Sequence, residues 1–516
     1  MTEQSNAQLN IQSNAQANAR PNAQSNTKSN TQSIAQSNVQ VDSQSKLVNE
    51  KIMIGLEIHA YLDTKSKLFC SCSTDDTMVE PNSLCCPVCL GHPGSKPVLN
   101  EKAVELATKI GLALNCTINK DFFFSRKTYF YPDMCSNYQI TQYEIPIAEK
   151  GFVDLSEGKR IRIKRAHIEW DPAALIHPEG MGKSNYVLID HNRSGFPLIE
   201  IVTEPDLESP AQAREFLGVL ENILSYLSVL KPNTTMKADC NISINYGNRV
   251  EIKNVSGFSA AEKALSYELL RQRKEVSLGN IIEQQTRAFD ADLGVTKELR
   301  KKETEDDYGY IFDPDLVKVN LPEEYVNEIK ENLPELPNQK TKRYISEYGL
   351  PEFDSKILCS NFVLTKIFDE IVNTNKSIDK KISARILTRE VMSVINHDSL
   401  DLNEVNIDPK EIVSLVELIV SGMVSDKNVK QSIINYISGD KSSPVDYLNK
   451  NNLLISKNID LGLVVETILK NNQKAVDDYK SGNEKSLNFL AGLVMRETKG
   501  TASPQKVQEL LKSKMN

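Results

Sequence analysis

Strict alternation of apolar and polar side chains near residue 52 constrains the fold of this chain more than any other feature. From Ile52 onward the sequence reads Ile-Met-Ile-Gly-Leu-Glu-Ile-His. Such period-two alternation predicts a strand with one buried face. Side chains two positions apart share a face, so Glu57 and His59 are expected to project together from the polar side. That pair could bind a hard cation or a phosphate-bearing substrate. The alternative is a strand whose outer face is exposed to solvent and has no function.

A second strand pattern carries the same two residue types. Ile161 and Ile163 are apolar at odd positions, and after Lys164 the apolar residues fall on even positions. His167 and Glu169 therefore share the polar face. The change of parity predicts a β-bulge, a feature that often re-aims side chains near functional sites. Two strands that each offer a histidine and a glutamate could build one metal site.

Further acidic residues follow on strand-like segments, and they are interpreted as partners that support such a site. They include Asp190, Glu200, Glu204 and Asp206. A later alternating strand carries Asp239 on its polar face, and the residues from Glu251 form its expected partner strand. A polar strand face opposite an apolar one fits the wall of a wet groove, with a solvated edge strand as the alternative.

Four cysteines form two close pairs, Cys70-Ser-Cys72 and Cys86-Pro-Val-Cys89. Pairs of thiolates separated by a short loop are typical of tetrahedral structural zinc. Cys86 is preferred over the adjacent Cys85 because it gives the C-x-x-C spacing with Cys89. The alternative is a group of free thiols. Nine cysteines in 516 residues are too few for a disulfide scaffold, and their clustering favours a reducing compartment.

The beginning of the chain differs in composition from the rest. Residues 5–40 are nine tandem tetrapeptides, eight of which have asparagine in second place. Such polar repeats cannot bury enough surface to fold, which predicts a disordered tail over residues 1–46. The tail lacks the apolar core of a secretory signal and, with Arg20 as its one arginine, resembles no mitochondrial presequence.

Composition and motif searches exclude several protein classes. No run of 18 apolar residues predicts a membrane helix, so a cytoplasmic protein with no membrane partner is expected. The net charge of −8 gives no global nucleic-acid signature, although local basic patches matter more. The segment Gly182-Lys183-Ser184 ends like a P-loop, but His177 stands where the first glycine belongs. Neither a dinucleotide-binding glycine motif nor a nucleophile elbow occurs.

Helical periodicity is readable elsewhere. Asn100–Leu114 has one apolar face, Ser209-Pro210 opens an amphipathic helix, and apolar residues from Ile412 to Ile419 form another stripe. Two helices are expected near the end of the chain, with Gly500 ending the first and Ser503-Pro504 starting the second. From Lys485 to Asn516, six basic and two acidic residues give a net charge of +4. This module fits contact with a phosphate backbone, or alternatively a solvated helix pair.

A series of longer motifs occurs in fixed order along the chain. They are Gly55-Leu-Glu-Ile-His59, Cys86-Pro-Val-Cys89-Leu-Gly, Pro93-Gly94, Tyr129-Phe-Tyr-Pro-Asp133, Tyr138-Gln-Ile, His167-Ile-Glu169, Asn192-Arg193-Ser-Gly, Pro197-Leu-Ile-Glu-Ile-Val, Glu204-Pro-Asp206 and Glu251-Ile-Lys-Asn254. Together they closely resemble the B subunit of the tRNA-dependent aspartyl/glutamyl-tRNA(Asn/Gln) amidotransferase, the GatB/GatE family. The resemblance extends from about Lys51 to the end of the chain.

The resemblance implies a ligase that depends on ATP and Mg²⁺. The family phosphorylates the side-chain carboxylate of mischarged Glu-tRNA(Gln) or Asp-tRNA(Asn). Ammonia released from glutamine by an amidase (glutaminase) partner, the A subunit, then displaces the phosphate, and the small C subunit clamps the two together. Phosphoryl transfer of this kind needs charge neutralisation and positioning more than covalent help from the protein.

The resemblance also assigns residues and domains. Glu57, His59 and Glu169 match positions of the magnesium centre, Lys127 matches a lysine near the end of the ammonia path, and Asp239 matches a polar position nearby. The implied fold is α+β: a cradle-type catalytic domain with a mixed or antiparallel sheet at 47–325, an all-α domain at 326–455 and a tRNA-binding helical tail at 456–516. The zinc-ribbon-like insert at 70–89 matches family zinc positions that some members lack, so zinc is not required for the chemistry.

The chain departs from the family pattern at several positions. The family usually reads His-x-Glu-Glu-Asp-Ala-Gly-Lys, whereas this chain reads His167-Ile-Glu169-Trp170-Asp171-Pro-Ala-Ala174. Trp170 thus stands in place of the second glutamate, and the lysine is missing. Cys240 replaces a usual alanine, and Tyr308–Asp315 also varies. Strand alternation places Trp170 on the side opposite Glu169. A tRNA-binding scaffold with a decayed site is one alternative, and Trp170 is its best support; a zinc protein that only contacts nucleic acid leaves the acidic strand faces unexplained.

Overall fold

The computed structural model describes residues 50–180, 184–301, 308–455, 461–498, 502 and 504–515, without the side chains of residues 254, 300 and 301. The tail predicted at 1–46, the Gly182-Lys183 pair, and the helix-terminal Gly500 and Ser503 lie outside these residues. Among the helices that are described, none has the length and apolar character needed to cross a lipid bilayer.

The described strands lie between residues 52 and 320. They are β1 (Ile52–Tyr61), β2 (Thr117–Ile118), β3 (Asp121–Phe122), β4 (Ser125–Thr128), β5 (Tyr138–Thr141), β6 (Ala148–Asp154), β7 (Arg160–Trp170), β8 (Ala174–Ile176), β9 (Leu188–Asp190), β10 (Pro197–Thr203), β11 (Lys237–Ile244), β12 (Val250–Ser256), β13 (Gln285–Asp290), β14 (Val295–Lys301), β15 (Ile311–Phe312) and β16 (Val319–Asn320).

Three of the described helices lie between strands in the N-terminal part, and the others follow the last strand. They are α1 (Glu101–Ala113), α2 (Pro210–Leu227), α3 (Phe258–Ser277), α4 (Glu323–Glu331), α5 (Pro337–Tyr348), α6 (Glu352–Cys359), α7 (Phe362–Thr374), α8 (Lys380–Arg385), α9 (Met392–His397), α10 (Pro409–Val420), α11 (Asp426–Ser438), α12 (Pro444–Lys450), α13 (Leu461–Asn471), α14 (Gln473–Lys480), α15 (Glu484–Glu497) and α16 (Pro504–Met515). A π-helical turn, Ile386–Val391, joins α8 to α9.

One large sheet organises the N-terminal part. Its described strands run in the order β14-β13-β12-β11-β1-β10-β7-β6-β2, with β1 between β11 and β10. Neighbouring strands are antiparallel except β12 and β13, which are parallel. The mixed sheet followed by helical regions confirms the predicted α+β class. Because β1 is central, its polar face is flanked on both sides by the polar faces of other strands.

The apolar face of β1 is buried as the alternation predicts. Ile54, Leu56 and Ile58 are at most 1% exposed and pack in a core that also includes residues of α1, α2 and α3. The predicted bulge is confirmed, because the register of β10 against β7 skips Lys164 between Arg165 and Ile163. The polar side chains that follow the bulge therefore keep a common orientation toward the opposite face of the sheet.

Two helix starts are set by local sequence, as predicted. The Asn100 side chain accepts a hydrogen bond from the Ala103 amide at the start of α1, and Ser209 caps α2 through the Gln212 amide. Pro210 occupies the first turn of α2, where its missing N–H costs no helical hydrogen bond.

The buried apolar residues of the described chain form three separate clusters. One extends from Ile54 to Leu321, the second from Tyr344 to Leu448 and the third from Val465 to Met515. The last cluster includes Leu490 and Leu511 from the two helices that were expected near the chain end. The proposed domain limits at 325/326 and 455/456 lie between these clusters and stay predictions.

Candidate active site

Three neighbouring strands place two histidines and a glutamate in one row across the sheet. Glu200 on β10 lies directly opposite His59 on β1 and opposite His167 on β7. Its Oε2 is 3.3 Å from His59 Nε2 and 3.6 Å from His167 Nε2. Glu169, two residues beyond His167, places Oε1 3.6 Å from His59 Nε2. Cross-strand register thus brings both predicted His/Glu strands together around Glu200.

The electrostatics of this row are dominated by burial and mutual attraction. Burial opposes protonation of His59, but the hydrogen bond to Glu200 and the charges of Glu200 and Glu169 outweigh it and raise its pKa to about 9. Burial likewise acts to raise the pKa of Glu200, yet its interactions with His167, His59 and Lys127 hold that pKa well below the usual value. Without a bound cation, the imidazole of His59 thus carries a proton at neutral pH.

The ligand atoms of His59, Glu169 and Glu200 all lie within 4.8 Å of one another. An imidazole nitrogen and two carboxylate oxygens at this spacing can bind one divalent cation once the histidine has lost its proton. The donor set is dominated by oxygen, which suits Mg²⁺ or Mn²⁺. The predicted ligands His59 and Glu169 are therefore adjacent, and Glu200 supplies the third donor atom.

Glu57 belongs to a second acidic group on the same sheet face. It pairs with Asp239 on β11, and the carboxylates of Glu57, Asp239 and Glu251 lie within 4.8 Å of one another. The Lys253 ammonium lies 2.6 Å from Asp239 Oδ2 and 2.9 Å from Glu251 Oε1. Asn241 donates its side-chain amide to Glu57 Oε1 at 3.1 Å. Glu57 and His59 thus share a face, as predicted, but join different groups.

Burial and neighbouring charges together shift the pKa values of Glu57 and Lys253 in this second group. Burial is the largest cause of the raised pKa of Glu57, and the nearby Glu200 adds to it while Lys253 opposes it. Burial acts to lower the pKa of Lys253, but Asp239, Glu251 and Glu57 outweigh it and raise that pKa. The ammonium group is consequently held charged among the carboxylates.

Glu169 and Glu200 of the first group and Glu57 and Glu251 of the second line one cleft with a volume of about 610 Å³. The same cleft is lined by Lys127 of β4 and by Tyr143, Tyr308 and Tyr310. The rings of Tyr143 and Tyr310 are stacked with centroids 3.9 Å apart, and Lys127 Nζ lies 4.7 Å from the centroid of Tyr308. The cleft therefore combines a cation and aromatic rings with several carboxylates, which suits a polyanionic ligand that carries its own metal ion.

Trp170 does not enter this cleft. Its side chain is 3% exposed and belongs to the hydrophobic core, with its ring centroid 6.1 Å from that of Phe69. Among the described residues, the indole Nε1 has no hydrogen-bond partner. Strand alternation places it opposite Glu169, as predicted, so the tryptophan leaves the carboxylate of Glu169 in the cleft.

The cysteine pairs converge in the segment that follows β1. The sulfur atoms of Cys70, Cys72, Cys86 and Cys89 lie within 4.8 Å of one another, and those of Cys86 and Cys89 are 3.9 Å apart. Zinc–sulfur bonds of about 2.3 Å in a tetrahedron separate the sulfur atoms by a similar distance. A hydrogen bond from Cys70 is the main cause that lowers the pKa of Cys89 to about 4, against the effect of burial. Cys85 is not part of this group. The four clustered sulfur atoms form a donor set that fits tetrahedral zinc.

Three charged residues of the cleft were not assigned as site residues from the sequence. Glu200 was interpreted as a supporting carboxylate, and Glu251 and Lys253 were placed only on a partner strand. A signal was present, because Glu200 interrupts an apolar strand with a charged group. What the sequence lacked was the register between distant strands.

Comparison with protein families defines the class. The GatB/GatE catalytic domain matches residues 52–327, and a second family region described as the GatB domain matches residues 366–515. The two matches cover most of the chain and fall on the sheet-containing and helical parts respectively. The chain therefore belongs to the GatB/GatE family of amidotransferase subunits.

Individual relatives narrow this assignment. The aspartyl/glutamyl-tRNA(Asn/Gln) amidotransferase B subunit of Methanocaldococcus jannaschii is 42% identical over 479 residues, which is 90% of this chain and 98% of that protein. The B subunits of Thermodesulfovibrio yellowstonii and Clostridium botulinum are 40% and 38% identical, over 89% and 90% of this chain and 98% of each protein. The chain is a member of this aspartyl/glutamyl-tRNA(Asn/Gln) amidotransferase B-subunit family, whose activity is of the ligase type and whose name indicates a multi-subunit complex.

Proposed function

We propose that this chain is the kinase and transamidase subunit of a tRNA-dependent amidotransferase. It would phosphorylate the side-chain carboxylate of Glu-tRNA(Gln) or Asp-tRNA(Asn) with ATP and then amidate it with ammonia. The observation that carries the proposal is the cleft lined by Glu169, Glu200 and Lys127, with His59 completing the possible metal-binding group. A decayed scaffold would not be expected to retain this set of charged groups.

The metal-binding role falls to the first acidic group. His59, Glu169 and Glu200 would hold Mg²⁺, which supplies neutralisation of the ATP phosphate charge when it is bound. Glu57, predicted as a magnesium ligand, would act beside them in the group that Lys253 partly neutralises. The same face of the sheet would therefore offer one centre for a metal ion and one for charge balance.

The proposed reaction has two chemical steps. A carboxylate oxygen of the aminoacyl side chain attacks the γ-phosphorus of ATP, and ADP leaves, which gives an acyl phosphate. Ammonia then attacks the carbonyl carbon; inorganic phosphate leaves, and the nitrogen loses a proton. Lys127, which is expected near the end of the ammonia path, lines the cleft, and its positive charge would stabilise the phosphoryl oxygens. Asp239, which accepts a hydrogen bond from Lys253, would act nearby as an acceptor for N–H groups.

Other parts of the molecule would support this activity. Cys70, Cys72, Cys86 and Cys89 would hold a structural Zn²⁺, because four thiolates leave no position for water or substrate. The basic C-terminal tail would bind the tRNA backbone. An amidase partner would supply ammonia, and a small third subunit would join the complex. A cytoplasmic location fits the reduced cysteines of the described chain.

Reconstitution tests the proposal directly. The chain is combined with the amidase and the small partner subunit, each mischarged tRNA, ATP, glutamine and either Mg²⁺ or Mn²⁺. Release of ADP and formation of Gln-tRNA(Gln) or Asn-tRNA(Asn) is expected, and EDTA should abolish both. Ammonium chloride in place of glutamine should restore product when the amidase is inactive. Absence of ADP and of amidated product with both tRNAs would reject the enzymatic role.

A further inference from the structure

Among the lysines of the described residues, Lys67 is the one whose side chain is completely buried. It lies in the segment between β1 and α1, three residues before Cys70. Its ammonium group donates to the Leu84 carbonyl at 2.8 Å and to the His191 carbonyl at 3.2 Å. Its third contact is the sulfur of Cys89, at 3.6 Å. Burying an ammonium group is costly unless a negative charge compensates it.

The compensating charge comes from the cysteine cluster. Among the described residues, the polar contacts of the Lys67 ammonium group are the two carbonyl groups, which supply only dipoles, and the Cys89 sulfur. A centre composed of one divalent zinc ion and four thiolates carries a net charge of −2. The 3.6 Å contact with Cys89 places the cation at the edge of such a centre. In a low-dielectric interior, the attraction between an ammonium group and a thiolate is stronger than it is in water.

We propose that Lys67 is the counter-ion of a zinc-loaded cysteine centre and anchors that centre to the loop of residues 191–196. The inference rests on the zinc assignment made above. It is independent of whether the chain phosphorylates a tRNA-bound carboxylate. Lys67 is not a zinc ligand; it is a positioning residue that acts through Cys89.

The anchoring part of the proposal follows from a group of hydrogen bonds around Lys67. The Leu84 amide donates to Asn192 Oδ1 at 2.7 Å, and Ser194 Oγ donates to the Cys89 carbonyl at 2.8 Å. The Leu68 amide donates to the Gly195 carbonyl at 2.8 Å. With the Lys67 contact to the His191 carbonyl, both sides of the cysteine cluster are attached to one loop.

This loop leads directly into the candidate active site. The Gly195 amide donates to the Asp171 carbonyl at 2.8 Å, at the end of the strand that carries Glu169. Residue 197 begins β10, which carries Glu200. Gly195 has φ +89°, a conformation that glycine adopts without the steric cost of a side chain. The zinc centre would thereby hold the ends of two strands that supply the proposed metal ligands.

Zinc retention tests the counter-ion role. The full chain is purified as wild type, Lys67→Met, Lys67→Gln and, as the matched control, Lys65→Met. Lys65 is exposed and two residues away. Zinc content is measured by mass spectrometry, and the release rate is measured with a colorimetric chelator. We expect Lys67→Met and Lys67→Gln to release zinc about 10- to 100-fold faster, the range typical for loss of a partner of a metal ligand.

The glutamine variant separates charge from hydrogen bonding, since its amide can still donate to carbonyl groups. It also serves if the methionine variant fails to fold. Amide hydrogen exchange of residues 191–196 should accelerate in both variants and in wild-type protein stripped of zinc. Wild-type protein without zinc would overturn the zinc assignment, whereas amidotransferase activity is judged by the separate reconstitution. Release from both Lys67 variants at the Lys65→Met rate would overturn the role of Lys67, and normal retention by Lys67→Gln alone would overturn its charge-based explanation.

Discussion

His59 Nε2 lies 3.3 Å from Glu200 Oε2, across the β1–β10 strand pair at the centre of the sheet. The histidine is 25% exposed at its side chain, whereas the glutamate is 12% exposed. A proton on His59 therefore compensates a largely buried carboxylate. A divalent cation bound by the same two side chains would displace that proton, so metal binding and protonation compete at this position.

The first prediction is that His59 titrates with a pKa of about 9 in metal-free protein. Its ordinary value is about 6.5, so its stabilising effect is complete below pH 6.5 and is lost as the pH rises through 9. Metal-free protein should lose about 1–3 kcal/mol of unfolding free energy over that interval. Histidine-labelled NMR can follow the titration, since the chain has six histidines.

The matched comparison for this titration is Glu200→Gln against Glu208→Gln. Glu208 is exposed and pairs with Lys159 outside the cleft. Glu200→Gln should lower the pKa of His59 toward 6.5, and Glu208→Gln should leave it unchanged. An unaltered His59 titration in Glu200→Gln would contradict the assigned cause of the raised pKa.

The second prediction concerns Glu169. Replacement of Glu169 by Ala removes one of the proposed metal ligands and should reduce carboxyl phosphorylation by about 10²–10³-fold, because the phosphate charge loses its neutralising centre. Binding of the mischarged tRNA should change little, since the proposed tRNA contacts are elsewhere. ADP release and filter binding measure the two properties separately. Full ADP release by Glu169→Ala would reject a metal role for this carboxylate.

The third prediction concerns Lys253, whose ammonium contacts Asp239 and Glu251. Lys253→Met removes this positive charge from the acidic group that also contains Glu57. We expect a loss of about 1–3 kcal/mol of stability in EDTA, below the range for a fully buried ion pair because the Lys253 side chain is 32% exposed. Millimolar Mg²⁺ should restore part of the loss by supplying a cation.

Thermal unfolding in EDTA and in Mg²⁺ measures the effect of Lys253→Met. Lys297→Met is the control, because Lys297 is largely exposed and pairs with Asp290 away from the cleft. The control should lose less than about 1 kcal/mol in either solution. Equal losses in the two variants would show that Lys253 does not neutralise a buried acidic group.

The fourth prediction addresses the tryptophan that replaces the usual family glutamate. Trp170→Phe should cost about 1–3 kcal/mol through lost packing against Phe69 and leave the rate of phosphorylation unchanged. Trp170→Glu should be more destabilising, because it places a carboxylate in the hydrophobic core. Circular dichroism measures stability in both variants. Faster phosphorylation without loss of stability in Trp170→Glu would mean that this position serves the cleft.

The fifth prediction tests the basic tail. Lys506→Gln combined with Lys512→Gln removes two exposed positive charges from α16. The affinity for tRNA should fall, and the slope of log affinity against log salt should become shallower by about 1–2 if both lysines contact phosphates. The pair Lys427→Gln and Lys430→Gln, exposed on α11, is the control. An unchanged slope in the tail variant would place the phosphate contacts elsewhere.

Local sequence determined several elements of the fold because their causes are local. Alternation over Ile52–Tyr61 required one buried face, and the parity change at Lys164 required a bulge. Ser209 and Pro210 specified the start of α2 through a cap and a fixed backbone angle. The close spacing within the two cysteine pairs likewise indicated one cluster, since both pairs can bind the same ion.

Tertiary structure decided which of these local features meet. The register of β10 between β1 and β7 made Glu200 the common partner of His59 and His167, and no local pattern encodes that register. Glu57 shares the strand face of His59, as the sequence required, but the pairing of β1 with β11 draws it toward Asp239. The chain's own periodicity thus determined which way side chains point, whereas long-range strand pairing determined which charges they face.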